Sequence, residues 1–297
     1  MKKWTRQQTA RIQIITAMLT FGTLGLFIKR IPLASSEIAL YRGIIALLIL
    51  SFILGIKNGR PFGQIKKSQF IRLFFSGAAI GFNWILLFEA YRYTSIALST
   101  LSYYFAPAIV IIASAVLFHE KLTFRQLFCF LASSFGLILI IGVSEGGKND
   151  LTGILFGLGA AFFYALVVLF NKSMTQIDGL SRTAYQFAGT VLVLFPYVAF
   201  TNGFHLKSLS PSSAACLLTV GVFHTGLMYF LYFSSLSHLK GQQAAILSYL
   251  DPLTAVFVSV LFLKETITPA QLAGGVIIIL FAAANEITWH PSRTHKA

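Results

Sequence analysis

Few residues in this chain have side chains suited to chemistry, and several of them stand where a charge is costly. Asp251 lies beside Pro252 inside an apolar run, where an isolated carboxylate needs a partner, a proton or an aqueous cavity. Ser248, Asp251, Thr254 and Ser259 fall on one side at helical spacing, so the carboxylate belongs to a polar stripe. Three roles are open to it: holding a cationic group of a substrate, carrying a coupling proton, or being satisfied by neighbouring hydroxyls. Arg42 lies about a turn inside the end of another apolar run. Pairing with Glu37 or Glu89 is the reading its position favours, with anchoring of a substrate carboxylate as the alternative, since a guanidinium binds that group through two parallel hydrogen bonds.

A second group is polar without being charged. Asn83 and Trp84 in one run and His224 and Tyr229 in another either line a common cavity or hydrogen-bond between helices. Tyr103, Tyr104 and Tyr249 precede Pro107 and Pro252 by about one helical turn and offer flat apolar walls with a hydroxyl handle. Each proline removes a backbone donor and loosens a turn. Pro107 and Pro252 are therefore expected as hinges or as the lining of a cavity.

Enzyme signatures are missing. The sequence contains no phosphate-cradling G-x-x-x-x-G-K-S/T loop, no H-E-x-x-H and no G-x-S-x-G. Neither a cofactor nor a metal is expected, and no catalytic residue is assigned. Cys129 and Cys216 are isolated within apolar runs and read as small packing residues.

The elements that must position these residues are set by composition. Of 297 residues, 56% are hydrophobic and 11% charged, with a mean hydropathy of +0.77; a soluble domain needs about 25% charged residues to cover its surface. The apolar runs are roughly 20 residues long, the length of a helix crossing a bilayer. An all-α integral membrane protein with ten transmembrane helices follows, at 12–28, 37–56, 70–90, 96–118, 124–143, 151–170, 182–201, 212–233, 242–262 and 270–288. The first is read as a retained helix rather than a signal peptide.

The net charge of +14 does not point to nucleic acid, because the cations lie between the spans. With the N-terminus inside, sixteen Lys and Arg fall on the inner side and six on the outer, leaving Arg42 within a span. That asymmetry places both termini in the cytoplasm.

The spans are duplicated. Tyr104, Pro107, Glu120, Thr123 and Gln126 recur as Tyr249, Pro252, Glu265, Thr268 and Gln271, and Phe27 and Lys29 recur as Phe170 and Lys172. Thr123 with Gln126, and Thr268 with Gln271, fit capping boxes, with Pro269 at a first helical position. Glu120 and Glu265 are expected at span ends in contact with water, in a structural role. Glu89 and Arg92 read as an interfacial ion pair. The polar break at 144–150 divides the chain into repeats 1–147 and 148–297. Five spans in each repeat make the second inverted relative to the first, a common plan for transporters. Asp251 breaks the symmetry, since its repeat partner is Ala106. Gly77 with Gly81 and Gly153 with Gly157 have the spacing of close helix packing, within a monomer or across a homodimer.

The repeated proline and Glu-x-x-Thr runs, the segment Phe88-Glu-Ala-Tyr-Arg-Tyr-Thr-Ser95 leading to Ala97 and Pro107, and Arg42 resemble the EamA family of the drug/metabolite transporter superfamily. The resemblance covers about residues 12–288. It implies a secondary transporter, an exporter of small metabolites, amino acids or drug-like compounds, working by alternating access in a bacterial inner membrane. Its partners would be a small-molecule substrate, the lipid bilayer and protons as a candidate coupling ion. A channel-like facilitator and a non-transporting sensor or scaffold are the rival readings.

Overall fold

The computed structural model describes residues 5–58, 65–94, 99, 102–141, 150–174, 176–263 and 268–286. Expectations that fall on Lys2, Lys3, Arg60, Ser95, Ala97, Lys264, Glu265, Arg293 and Lys296, on most of the 144–150 break, and on the side chains of Ser259 and Gln271, lie outside the described residues. Thirteen α-helices are described: α1 (Arg6–Phe21), α2 (Leu24–Ile28), α3 (Ser35–Asn58), α4 (Lys67–Tyr93), α5 (Ala106–Leu117), α6 (Phe124–Ile141), α7 (Asp150–Ser173), α8 (Gly179–Thr201), α9 (Pro211–Thr219), α10 (Met228–Leu236), α11 (Gly241–Leu247), α12 (Leu250–Leu263) and α13 (Pro269–Glu286). A π-helical segment, Val220–Leu227, joins α9 to α10.

Local sequence explains where these helices start. Thr5 caps α1 through a reciprocal pair with Gln8. Thr123 and Gln126 form the expected box before α6, at 3.0 and 3.3 Å. Pro269 opens α13, where its missing N–H costs nothing.

Among the described residues, six helical segments are long and apolar enough to cross a membrane: Arg6–Ile28, Ser35–Lys57, Lys67–Tyr93, Leu151–Ser173, Gly179–Thr201 and Pro211–Leu236. Ala106–Leu117, Phe124–Leu139 and Leu272–Phe281 are shorter apolar helices. The described residues thus bear out an all-helical membrane architecture without showing all ten spans. The expected fourth span turns at Tyr104 and Phe105 before α5, and the ninth turns at Ser248 and Tyr249 between α11 and α12. Pro107 and Pro252 sit in the first turns after these breaks, where a proline is tolerated.

The helix contacts come in pairs related by exchanging the two halves of the chain. α4 packs on α7 as α10 packs on α1; α4 packs on α8 as the π segment packs on α3; α5 packs on α7 as α12 packs on α1. α3 with α8 and α6 with α13 are their own counterparts.

Small residues permit the closest approaches. A Cβ on Gly77 would stand 2.1 Å from the carbonyl oxygen of Gln186 in α8. At Gly22, between α1 and α2, it would stand 2.7 Å from the carbonyl oxygen of Asp251. Packing within one chain accounts for the Gly77 and Gly81 spacing, as a Cβ on Gly81 would meet Val193 at 2.8 Å. Large apolar side chains such as Phe52, Phe75, Phe195 and Phe200 remain exposed, as suits a surface meeting lipid. Cys129 and Cys216 are free.

Candidate functional site

Helix breaks surround a central cavity of about 390 Å³, within the size range of small-molecule sites. From the first half it is lined by Phe21 beside the α1–α2 break, Arg42 on α3, Trp84 and Phe88 on α4, and Tyr103, Tyr104 and Pro107 at the entry to α5. The second half supplies Tyr164 from α7, His224 from the π segment, Tyr229 and Tyr232 from α10, and Ser248 and Asp251 around the α11–α12 break. Each broken span thus brings polar groups and irregular backbone to a place enclosed by protein, the setting in which such backbone is tolerated at membrane depth.

Asp251 and Tyr104 approach from opposite halves of the chain, the Tyr104 hydroxyl donating to Oδ2 at 3.4 Å. The local hydroxyls do not satisfy the carboxylate. Ser248 donates back to Ala244 at 2.8 Å and Thr254 to Leu250 at 2.7 Å, each into its own helix.

Arg42 corrects the favoured sequence expectation. It pairs with neither Glu37 nor Glu89, because both carboxylates are engaged elsewhere. Glu37 accepts from the His205 backbone N–H at 2.7 Å and lies 3.1 Å from its ring. Glu89 accepts from Arg92 at 3.0 Å, the expected ion pair, and from Tyr197. Instead the Arg42 guanidinium lies over the Trp84 ring, 3.9 Å from its centre, and the residue is only 8% exposed. Stacking on an indole is a favourable place for a guanidinium.

His224 also turns into the cavity, with Nε2 2.9 Å from the Thr23 hydroxyl at the α1–α2 break. It stands in the π segment, where the Thr225 hydroxyl donates to the carbonyl five residues back at 2.9 Å. π-helical turns recur at functional sites because the widened turn re-aims side chains.

Two further candidates lie outside the cavity, Asn83 following the second of its two sequence readings. Asn83 does not line the cavity; its Nδ2 donates to the Ala160 carbonyl at 2.6 Å, holding α4 to α7. Tyr249 is buried on the far side of its helix break, with its hydroxyl 2.8 Å from that of Ser134 and its ring stacked near Phe130. Repeat-related Tyr104 and Tyr249 therefore differ in role, one facing the cavity and the other the packing between α6 and α11. Pro252 follows its break without lining the cavity.

Beside the cavity lies a second space of about 480 Å³, which shares Ser35, Phe88 and Tyr91 as wall residues and is otherwise lined by the ends of α3, α4 and α8. At the opposite end the path narrows to a void of about 10 Å³ between Pro107, Tyr164, Tyr232 and Ser248, barely enough for a water. The hydroxyls of Tyr164 and Tyr232 bond to each other across it.

Beyond this constriction lies a clasp between the halves. Lys172 donates to Glu120 at 2.7 Å and to the Leu239 carbonyl at 2.8 Å, and the other Glu120 oxygen accepts from the Gly241 N–H at 3.0 Å. Glu120 was expected in contact with water, yet the two charged side chains are only 12% and 11% exposed.

Sequence reasoning missed Tyr164, Tyr232 and the clasp. The only signal for the clasp was that Lys172 and Glu120 each recur in the duplication. The model of the EamA-like transporter family matches twice, over residues 8–142 and 151–285.

The chain belongs to the EamA-like transporter family.

A transporter of Bacillus subtilis (strain 168), YxxF, is 28% identical over 282 residues, covering 93% of this chain and 88% of that protein. Protein PecM of Dickeya dadantii is also 28% identical, over 250 residues, covering 82% and 80%. A probable amino-acid metabolite efflux pump of Salmonella typhimurium is 26% identical over 196 residues, covering 61% and 64%. A solved crystal structure of 16% identity superposes with a TM-score of 0.79 over 93% of this chain and 97% of that one, which shows a shared fold. Family membership and the apolar helices identify a multi-pass membrane protein of the transporter class.

Proposed function

We propose that this EamA-like protein is a secondary carrier that exports small metabolites, amino acids or drug-like compounds by alternating access. The observation that carries this reading is a central cavity flanked on one side by a larger space and on the other by a constriction and an inter-repeat clasp. A continuous channel would need a polar track through both ends. The efflux assignment of a relative supports the direction. Family membership argues for transport rather than catalysis.

In this reading ten spans, some broken, form inverted repeats at 1–147 and 148–297, both termini face the cytoplasm and the inner membrane is the host bilayer. The side with the larger space is then the outer one, and Lys172, Glu120 and Lys240 lie at the inner end. Asp251 with Tyr104, Arg42 with Trp84, and His224 make the substrate site, while the breaks at Pro107 and Pro252 act as hinges. The test is flux of labelled metabolites into vesicles containing the purified protein, with and without a pH gradient. Solute accumulation that saturates supports a carrier; no flux for any compound that thermally stabilises the protein overturns it.

A further inference from the structure

Arg42 is a permanent cation held almost wholly inside the protein, and among the described residues nothing supplies its counter-charge. Its Nε has no hydrogen-bond partner, and its contact is with the neutral Trp84 ring. Glu37 is engaged with His205 and Glu89 with Arg92, and Asp251 makes one hydrogen bond, from Tyr104, and no ion pair with Arg42. An unpaired buried charge is costly enough that it is retained for a reason.

Resting on the carrier reading above, we propose that Arg42 and Trp84 form a carboxylate subsite and make the transported solute a small organic acid with a flat apolar body. Trp84 covers one face of the guanidinium and leaves its edge for the in-plane, two-bond geometry that a carboxylate matches. Phe21, Phe88, Tyr91 and Tyr103 provide flat walls for the rest of the solute. When ionised, Asp251, which lines the same cavity without pairing with Arg42, disfavours a second negative charge and so separates carboxylates from phosphate esters.

The probes are 3-phenylpropionate, phenethylamine, 2-phenylethanol and phenyl phosphate, offered to the full-length protein in thermal stabilisation and in vesicle flux. Stabilisation by 3-phenylpropionate above the other three is expected. Arg42→Gln is expected to weaken 3-phenylpropionate about tenfold or more, with added guanidinium restoring part of the binding to Arg42→Ala. Should Arg42→Gln not fold, Arg42→Lys, which keeps the charge and loses the fork, reads the same loss. Equal binding of acid and amine, tighter binding of phenyl phosphate, no binding of 3-phenylpropionate, or undiminished acid binding by a folded Arg42→Gln overturns the subsite. If the acid binds but does not cross, the carrier reading fails and the subsite stands; if only amine or alcohol crosses, the subsite fails and the carrier stands.

Discussion

At the residue scale, the two buried charges of the cavity behave differently, and the difference is testable. Asp251 has one long hydrogen bond, to a tyrosine of the other repeat, so removing its charge leaves packing almost unaltered. Asp251→Asn is expected to abolish transport while gel filtration and thermal unfolding stay as in the wild type; unchanged transport would refute the role. Asn83→Leu is expected to do the reverse, lowering stability by about 0.6–2 kcal/mol, the worth of an interhelical hydrogen bond in a membrane, with KM unchanged. The sequence made Asp251 and Arg42 legible because charge inside an apolar run is rare. It could not tell which way Asn83 or Tyr249 pointed, since a mid-span amide serves a cavity and a neighbouring carbonyl equally well.

Glycines and breaks govern the scale of the element. Gly77 lies against the backbone of Gln186, whereas a Cβ on Gly55 would meet nothing within 4 Å. Gly77→Ala is therefore expected to cost about 1–3 kcal/mol by overpacking and Gly55→Ala to be neutral or stabilising by up to about 1 kcal/mol, both read by thermal unfolding. The positions of the apolar runs and of both prolines gave the helices nearly as they stand. The π segment was not legible. Val220–Leu227 reads as an ordinary apolar helix, and its close approach to α3 at Gly221, where a Cβ would stand 2.6 Å from Ile45, is a feature of the assembled fold.

At the scale of the whole molecule, duplication was visible in the sequence, but how the halves hold one another was not. Glu120 and Lys172 are 52 residues apart and meet only because α7 of the second half packs against α5 of the first. Glu120→Gln leaves Lys172 without its carboxylate and is expected to loosen the constricted end. The most direct test of alternating access places a cysteine at Leu87, on the cavity wall, in a background lacking Cys129 and Cys216, and labels it with a membrane-impermeant thiol reagent from each side of sealed vesicles. Labelling from both sides, fast from the outer side and slow from the inner, with the inner rate raised several-fold by Glu120→Gln, is the predicted result. Labelling confined to one side under every substrate condition, and unmoved by Glu120→Gln, would contradict it.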